Sequence, residues 1–159
     1  GEILLTGPQL FLGYWQRPKE TEEVFVTVDG ARYFRTGDMG YVDEDGYFYM
    51  VDRLKRMINA AGFKVWPAEV EAIMHGHLDI DEVCVIGITD TRRGETAKAV
   101  IVPADRENPP DPADIITWCK THMAAYKCPT HIEFVASLPK SGSSKVLWRA
   151  LTERAKQSE

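Results

Sequence analysis

What the sequence lacks narrows its function first. No apolar run approaches the roughly 20 residues a membrane helix needs; the longest, such as residues 83–88, are of strand length. Basic charge is short as well: Lys and Arg total 19 against 24 Asp and Glu, a net charge of −5. That balance argues against a general nucleic-acid binder, which would present a basic face. Cysteine is scarce. Cys84, Cys119 and Cys128 are odd in number and have no CxxC spacing, so they read as reduced thiols of a cytoplasmic protein. His75 and His77 flank Gly76, but no other ligand stands at metal-binding spacing. No metal site is expected, and this pair reads as a solvated helix terminus. The opening GEILL has no charged segment before an apolar one, so no signal peptide is expected. It has no initiator Met either, so the chain reads as a piece of a longer protein.

What is present is enough for one real core. The chain has 159 residues, 44% of them hydrophobic, which allows one domain and part of another. Residues 1–50 read as all-β. A strand over 2–6 is broken by Gly7-Pro8, Asp29-Gly30 separates 24–28 from 33–35 as a hairpin, and DEDG at 43–46 turns 40–42 into 47–51. Four short strands have little to bury themselves against, which suggests the tail of a larger domain.

The character changes after Asp52. A small hairpin is expected around Gly62, then a helix over 67–74 with Pro67 in its first turn and Val70, Ile73 and Met74 on one face. Strands are expected over 81–89, 97–103 and 132–135, and helices over 113–123 and 146–157. Strands and helices mix without strict βαβ alternation, so the fold class is α+β.

Several residues stand out chemically. Asp38 follows Thr36-Gly37 at a strand end, where an aspartate commonly braces a turn. Arg53, Lys55, Arg56 and Lys64 form a basic cluster in an acidic chain. Such a cluster is either a solvated edge or a local attractor for an anionic ligand. Lys145 ends the small, polar run SGSSK at 141–145. That run reads as a flexible loop that could deliver one cation into a cleft, and it is not a Walker loop. Trp15, Trp66, Trp118 and Trp148 form no evident stacking array and read as core or interface residues.

Four elements occur in a telling order: YFRTGD at 33–38, VDRLKR at 51–56, GFKVWPAEVE at 62–71 and PKSGSSK at 139–145. Together they resemble the adenylate-forming superfamily, comprising AMP-forming acyl-CoA synthetases, luciferases and the adenylation domains of peptide synthetases. The resemblance covers nearly the whole chain. It implies the β-rich end of a large N-terminal domain over 1–51, a hinge at 52–55 and the small mobile C-terminal domain over 56–159. It implies an enzyme that joins a carboxylic acid, with a fatty acid preferred, to coenzyme A using ATP and Mg²⁺. The metal would be held mainly outside this chain, and the fragment alone would be inactive. By the same resemblance Asp38, Arg53 and Lys64 would bind the nucleotide, Lys55 would be the hinge, and Lys145 would be catalytic. Ala61, Gly62 and Phe63 would line the coenzyme A path, with Lys127 beside it. One departure is visible: the family usually has glycine where Ser144 stands, which would alter how the loop turns. The alternatives are an adenylation domain loading a carrier protein, or a non-catalytic binding module.

Overall fold

The structure, a computed structural model, describes residues 1–157. The chain divides into two compact units, Gly1–Lys55 and the remainder from Arg56 onward. The class is α+β, as expected from the sequence.

In the first unit, β1 (Glu2–Leu5), β2 (Phe25–Val28), β3 (Ala31–Val42) and β4 (Phe48–Arg53) form one sheet. β3 is its spine, pairing antiparallel with each of the other three. The Asp29-Gly30 turn joining β2 to β3 has both central residues at positive φ, 49° and 77°. This mirror-image turn matches strand twist, which is why the dipeptide signals a hairpin.

Two details depart from the sequence reading. Residues 33–35 and 40–42 belong to one continuous strand, because a bulge between Met39 and Gly40 absorbs the irregularity. The all-β reading also missed a short helix, α1 (Pro18–Glu23). Pro18 sits in its first turn beside Glu20, a favourable start, but six residues are too few to show a period. Packing here is aromatic: Phe11 lies 5.2–5.4 Å from the rings of Tyr14, Phe25 and Phe34. Every buried apolar side chain of the described chain lies in the second unit. Trp15 is 87% exposed, so it is not a core residue of this unit.

The second unit is built on a long hairpin, β7 (Ile80–Asp90) against β8 (Gly94–Pro103). β9 (His131–Phe134) joins β8 in parallel, and β5 (Ile58–Ala60) meets β8 where Ala60 faces Gly94. β6 (Phe63–Val65) closes the edge beside β5.

Alternation along the long hairpin points side chains to opposite faces, and both faces are covered. Val83, Val85, Ala97, Ala99 and Ile101 pack with residues of α2 (Pro67–Met74) and α3 (Pro112–His122). Cys84, Ile86, Val100 and Val102 pack with Leu151 and Ala155 of α4 (Trp148–Gln157). Asp111 caps α3, its carboxylate accepting from the Ala113 amide at 2.8 Å, with Pro112 at the first helical position.

Among the aromatic residues, Trp118 does stack. His122 lies 3.8 Å from it face to face, and His77 meets its edge at 5.0 Å. His77 is therefore packed against an indole, whereas His75 is exposed as expected.

Ile101 is 0% exposed at the centre of the first cluster, while Leu78 is 93% exposed. Ile101→Ala should lower the unfolding free energy by about 2–5 kcal/mol in urea titration, through lost contacts and a residual cavity. Leu78→Ala should stay within about 0.5 kcal/mol of the parent. Equal effects from the two substitutions would contradict this placement of the core.

Candidate functional site

In the first unit the register of β3 against β4 sets Asp38 directly opposite Arg53. The Arg53 Nε lies 2.6 Å from the Asp38 carboxylate. Thr36 prepares the approach: its hydroxyl donates to the Ile3 carbonyl and accepts from the Asp38 amide. Asp38 is thus held on a fixed backbone beside a guanidinium, with its carboxylate still partly solvent-accessible at 23% exposure. An ionised carboxylate offers only acceptors and suits a diol or amine ligand, while Arg53 retains donors in its planar fork.

The basic cluster of the sequence is less free than its composition suggests. Arg53 is committed to Asp38. The Arg56 guanidinium donates to Glu71 at 2.5 Å, and the same Glu71 oxygen accepts the Val85 amide at 2.8 Å, which ties the start of the second unit to α2 and β7. Lys55 and Lys64 remain exposed, without an ion-pair partner among the described residues.

In the second unit the tip of the β5–β6 hairpin is Ala61-Gly62, both at positive φ, 53° and 89°. A Cβ added at Gly62 would meet nothing within 4 Å, so the position is open and its requirement for glycine comes from the backbone angle. Next to the tip, Phe63 stacks on Tyr126 with ring centroids 4.8 Å apart, and both rings are more than a third exposed. Lys127 follows, its ammonium bonded to Glu69 of α2, and that partner raises its pKa above the usual lysine value. The fold therefore brings Phe63 and Lys127, far apart in sequence, to one surface through Tyr126. Glu69 was invisible as a partner because nothing in the sequence places the first turn of α2 beside residue 127.

Lys145 closes a hydrogen-bonded loop instead of a loose one. Lys140 bridges Val146. The Ser141 amide donates to the Lys145 carbonyl at 2.8 Å, and the Ser144 amide donates to the Ser141 carbonyl at 2.9 Å. The Lys145 amide reaches the Ser141 hydroxyl at 3.2 Å. Ser144 sits at φ 61°, the left-handed region that costs a residue with a side chain about 1–2 kcal/mol and glycine nothing.

The Lys145 side chain is exposed and has no hydrogen-bond or ion-pair partner among the described residues. Its loop neighbour Lys140 is paired with Glu82 at 2.5 Å, and Lys98 with Glu133 at 2.7 Å. Lys19, Lys120 and Lys156 share the unpaired state, but none of them sits on a braced loop.

Cys119 and Cys128 offer no nucleophile. Burial pushes Cys119 up to about 11 and also raises Cys128, so both stay protonated at neutral pH. Among the described residues no group of three or more His, Cys, Asp or Glu could hold a metal ion, and no helix is long and apolar enough to cross a membrane.

Comparisons with known proteins agree on where such a chain occurs. Residues 69–145 match the family model of the AMP-binding enzyme C-terminal domain. Feruloyl-CoA synthase of an Amycolatopsis species is 46% identical over 147 residues, which is 92% of this chain and 29% of that protein. Long-chain-fatty-acid–CoA ligase of Salmonella typhimurium is 40% identical over 156 residues, 98% of this chain and 27% of that protein. The crystal structure of ATP-bound MatB from Rhodopseudomonas palustris superposes with a TM-score of 0.89 at 33% identity, covering 99% of this chain and 31% of that one. The chain spans less than a third of the length of these relatives. Residues 69–145 belong to the AMP-binding enzyme C-terminal domain family.

Proposed function

We propose that this chain is the C-terminal part of an AMP-forming acid–CoA ligase, and that the Lys145 loop and the Gly62 hairpin of its second unit serve two successive half-reactions. The observation that carries the reading is Lys145: an unpartnered ammonium on a braced loop, at the end of the matched family domain. In adenylation the substrate carboxylate oxygen attacks the α-phosphorus of ATP, the bond to the bridging oxygen breaks, and pyrophosphate leaves. Negative charge grows on the α-phosphate oxygens, and a fixed ammonium stabilises it most where water is excluded. Asp38 would accept hydrogen bonds from the ribose hydroxyls, oriented by Arg53, and Lys64 would attract the phosphates. The Mg²⁺ that accompanies ATP has no ligand set among the described residues. It would be held by the rest of the enzyme.

In the second half-reaction the thiol sulfur of coenzyme A attacks the acyl carbonyl carbon. The bond to the adenylate oxygen breaks, AMP leaves, and the thiol proton goes to solvent. Gly62, at the tip of the hairpin, would let the pantetheine arm pass a backbone without a Cβ in the way. The exposed Phe63–Tyr126 pair beside Lys127 is a platform suited to the nucleotide end. Lys55, at the boundary between the units, would be the hinge that exchanges one arrangement for the other.

Long-chain fatty acids are the proposed substrate class, supported by similarity to the Salmonella ligase. The feruloyl-CoA synthase similarity favours feruloyl-type acids as the second reading. A profile of acid-dependent pyrophosphate exchange by the full-length enzyme separates the two.

Lys145→Ala in the full-length enzyme should lower acyl-adenylate formation by about 10²–10³-fold while sparing thioester formation from supplied acyl-adenylate. Equal loss in both half-reactions would refute the assigned role.

Lys55→Pro and Gly62→Leu should show the opposite selectivity. Proline fixes φ near −65° and removes a donor at the boundary, and leucine places a side chain in the pantetheine path. Both should spare adenylation and stop coenzyme A transfer. Normal rates of both half-reactions in Lys55→Pro would defeat the hinge assignment.

A further inference from the structure

The Ala61-Gly62 tip is held by more than its own strand pairing. Asn59, exposed on β5, turns its side-chain carbonyl Oδ1 to accept the Gly62 amide at 3.0 Å. Its own backbone amide donates to the Glu95 carboxylate of β8 at 2.8 Å. The Ala61 amide donates to the Arg93 carbonyl at 2.9 Å, in the turn between β7 and β8. Two tip amides and the amide leading into them are thus satisfied from the side by one amide side chain, one carboxylate and one carbonyl.

The reason is local. Two successive residues at positive φ, 53° and 89°, form a turn that Ala61 enters at some steric cost. A tip so conformed keeps its shape only if its donors are fixed. Asn59 and Glu95 supply that fixing from outside the turn, and the neighbouring Ala60–Gly94 pairing connects it to the long β7–β8 hairpin.

We infer that Asn59 is a positioning residue for thioester formation, holding the Gly62 turn in the shape that admits the thiol arm, with Glu95 fixing Asn59 in turn. The inference rests on the proposed reading of the hairpin as the thiol path. Asn59 touches no reacting atom in this scheme; it acts through the Gly62 backbone.

The test uses the full-length enzyme and reads the two half-reactions separately, together with hydrogen exchange at the Gly62 amide. Asn59→Ala removes the acceptor and should lower kcat of the thioester step about tenfold, the order expected from one lost hydrogen bond. Adenylation should stay within about twofold, and the Gly62 amide should exchange faster. Asn59→Asp keeps an acceptor and should restore both kcat and exchange protection, with its added charge felt in KM for coenzyme A. Unchanged kcat in Asn59→Ala, when Gly62→Leu abolishes the step, overturns the inference alone. Equal loss of both half-reactions without rescue by aspartate overturns it in favour of a general folding role. If Gly62→Leu leaves the thioester step intact, the thiol-path reading fails and this role fails with it.

Discussion

The second unit depends on one constraint: a ten-residue strand, β8, whose two faces are both buried and whose two edges are both used. Its side chains alternate between two apolar clusters, so a one-residue slip would move each cluster's contribution to the wrong face. One edge carries β7 along its whole length, and the other carries β9 and the end of β5. The elements with chemical potential hang from this strand. The Gly62 hairpin joins it at Gly94, and the Tyr126-Lys127 segment runs directly into β9. The Lys145 loop lies between β9 and α4, the helix packed on its second face.

Charge is distributed with a similar economy. Several cations of the second unit are matched. Arg56 is bonded to Glu71, Lys98 and Arg154 share Glu133, and Lys127 is bonded to Glu69. Such partly exposed pairs are each worth little in stability, and each sets a protein carboxylate against its cation. The lysines left over include three of the four to which the proposed mechanism gives roles: Lys55, Lys64 and Lys145. In that reading the acidic net charge of the chain and its handling of ATP and coenzyme A are compatible, because attraction needs only a few cations at chosen places.

Much of the fold was legible from local rules. The helix beginning at Pro67 was readable because proline, early acidic residues and the spacing of Val70, Ile73 and Met74 all agree. The positive φ at Asp29-Gly30 and at Gly62 followed from turn chemistry. What was not legible is what tertiary structure decides. The six-residue helix α1 is too short for periodicity, and the bulge fusing two apparent strands into β3 is set by pairing with β4. The edge-on contact of His77 with Trp118 joins residues that sequence separation keeps apart, whereas His122 stacks on Trp118 from one turn further along α3. The site was legible as a set of types: an aspartate, a basic run, a glycine turn, a lysine loop. Its pairings were not, since neither the Asp38–Arg53 contact nor the Lys127–Glu69 bond has a sequence signal. The lysine loop read as flexible from its small polar residues, yet those same hydroxyls and amides close it into a turn in which Ser144 takes the left-handed conformation.

In the proposed mechanism one chain presents Lys145 and the Gly62 hairpin in turn, by rotation at Lys55. The most direct measurement is the distance between spin labels, one on each unit of the full-length enzyme, by pulsed electron resonance. A label on exposed Val28 and another on exposed Leu78 would serve. With a non-hydrolysable acyl-adenylate analogue alone, the distances should form one population. Addition of coenzyme A should shift them to a second, and Lys55→Pro should abolish the shift. A single unchanged distribution under all three conditions would contradict the claim.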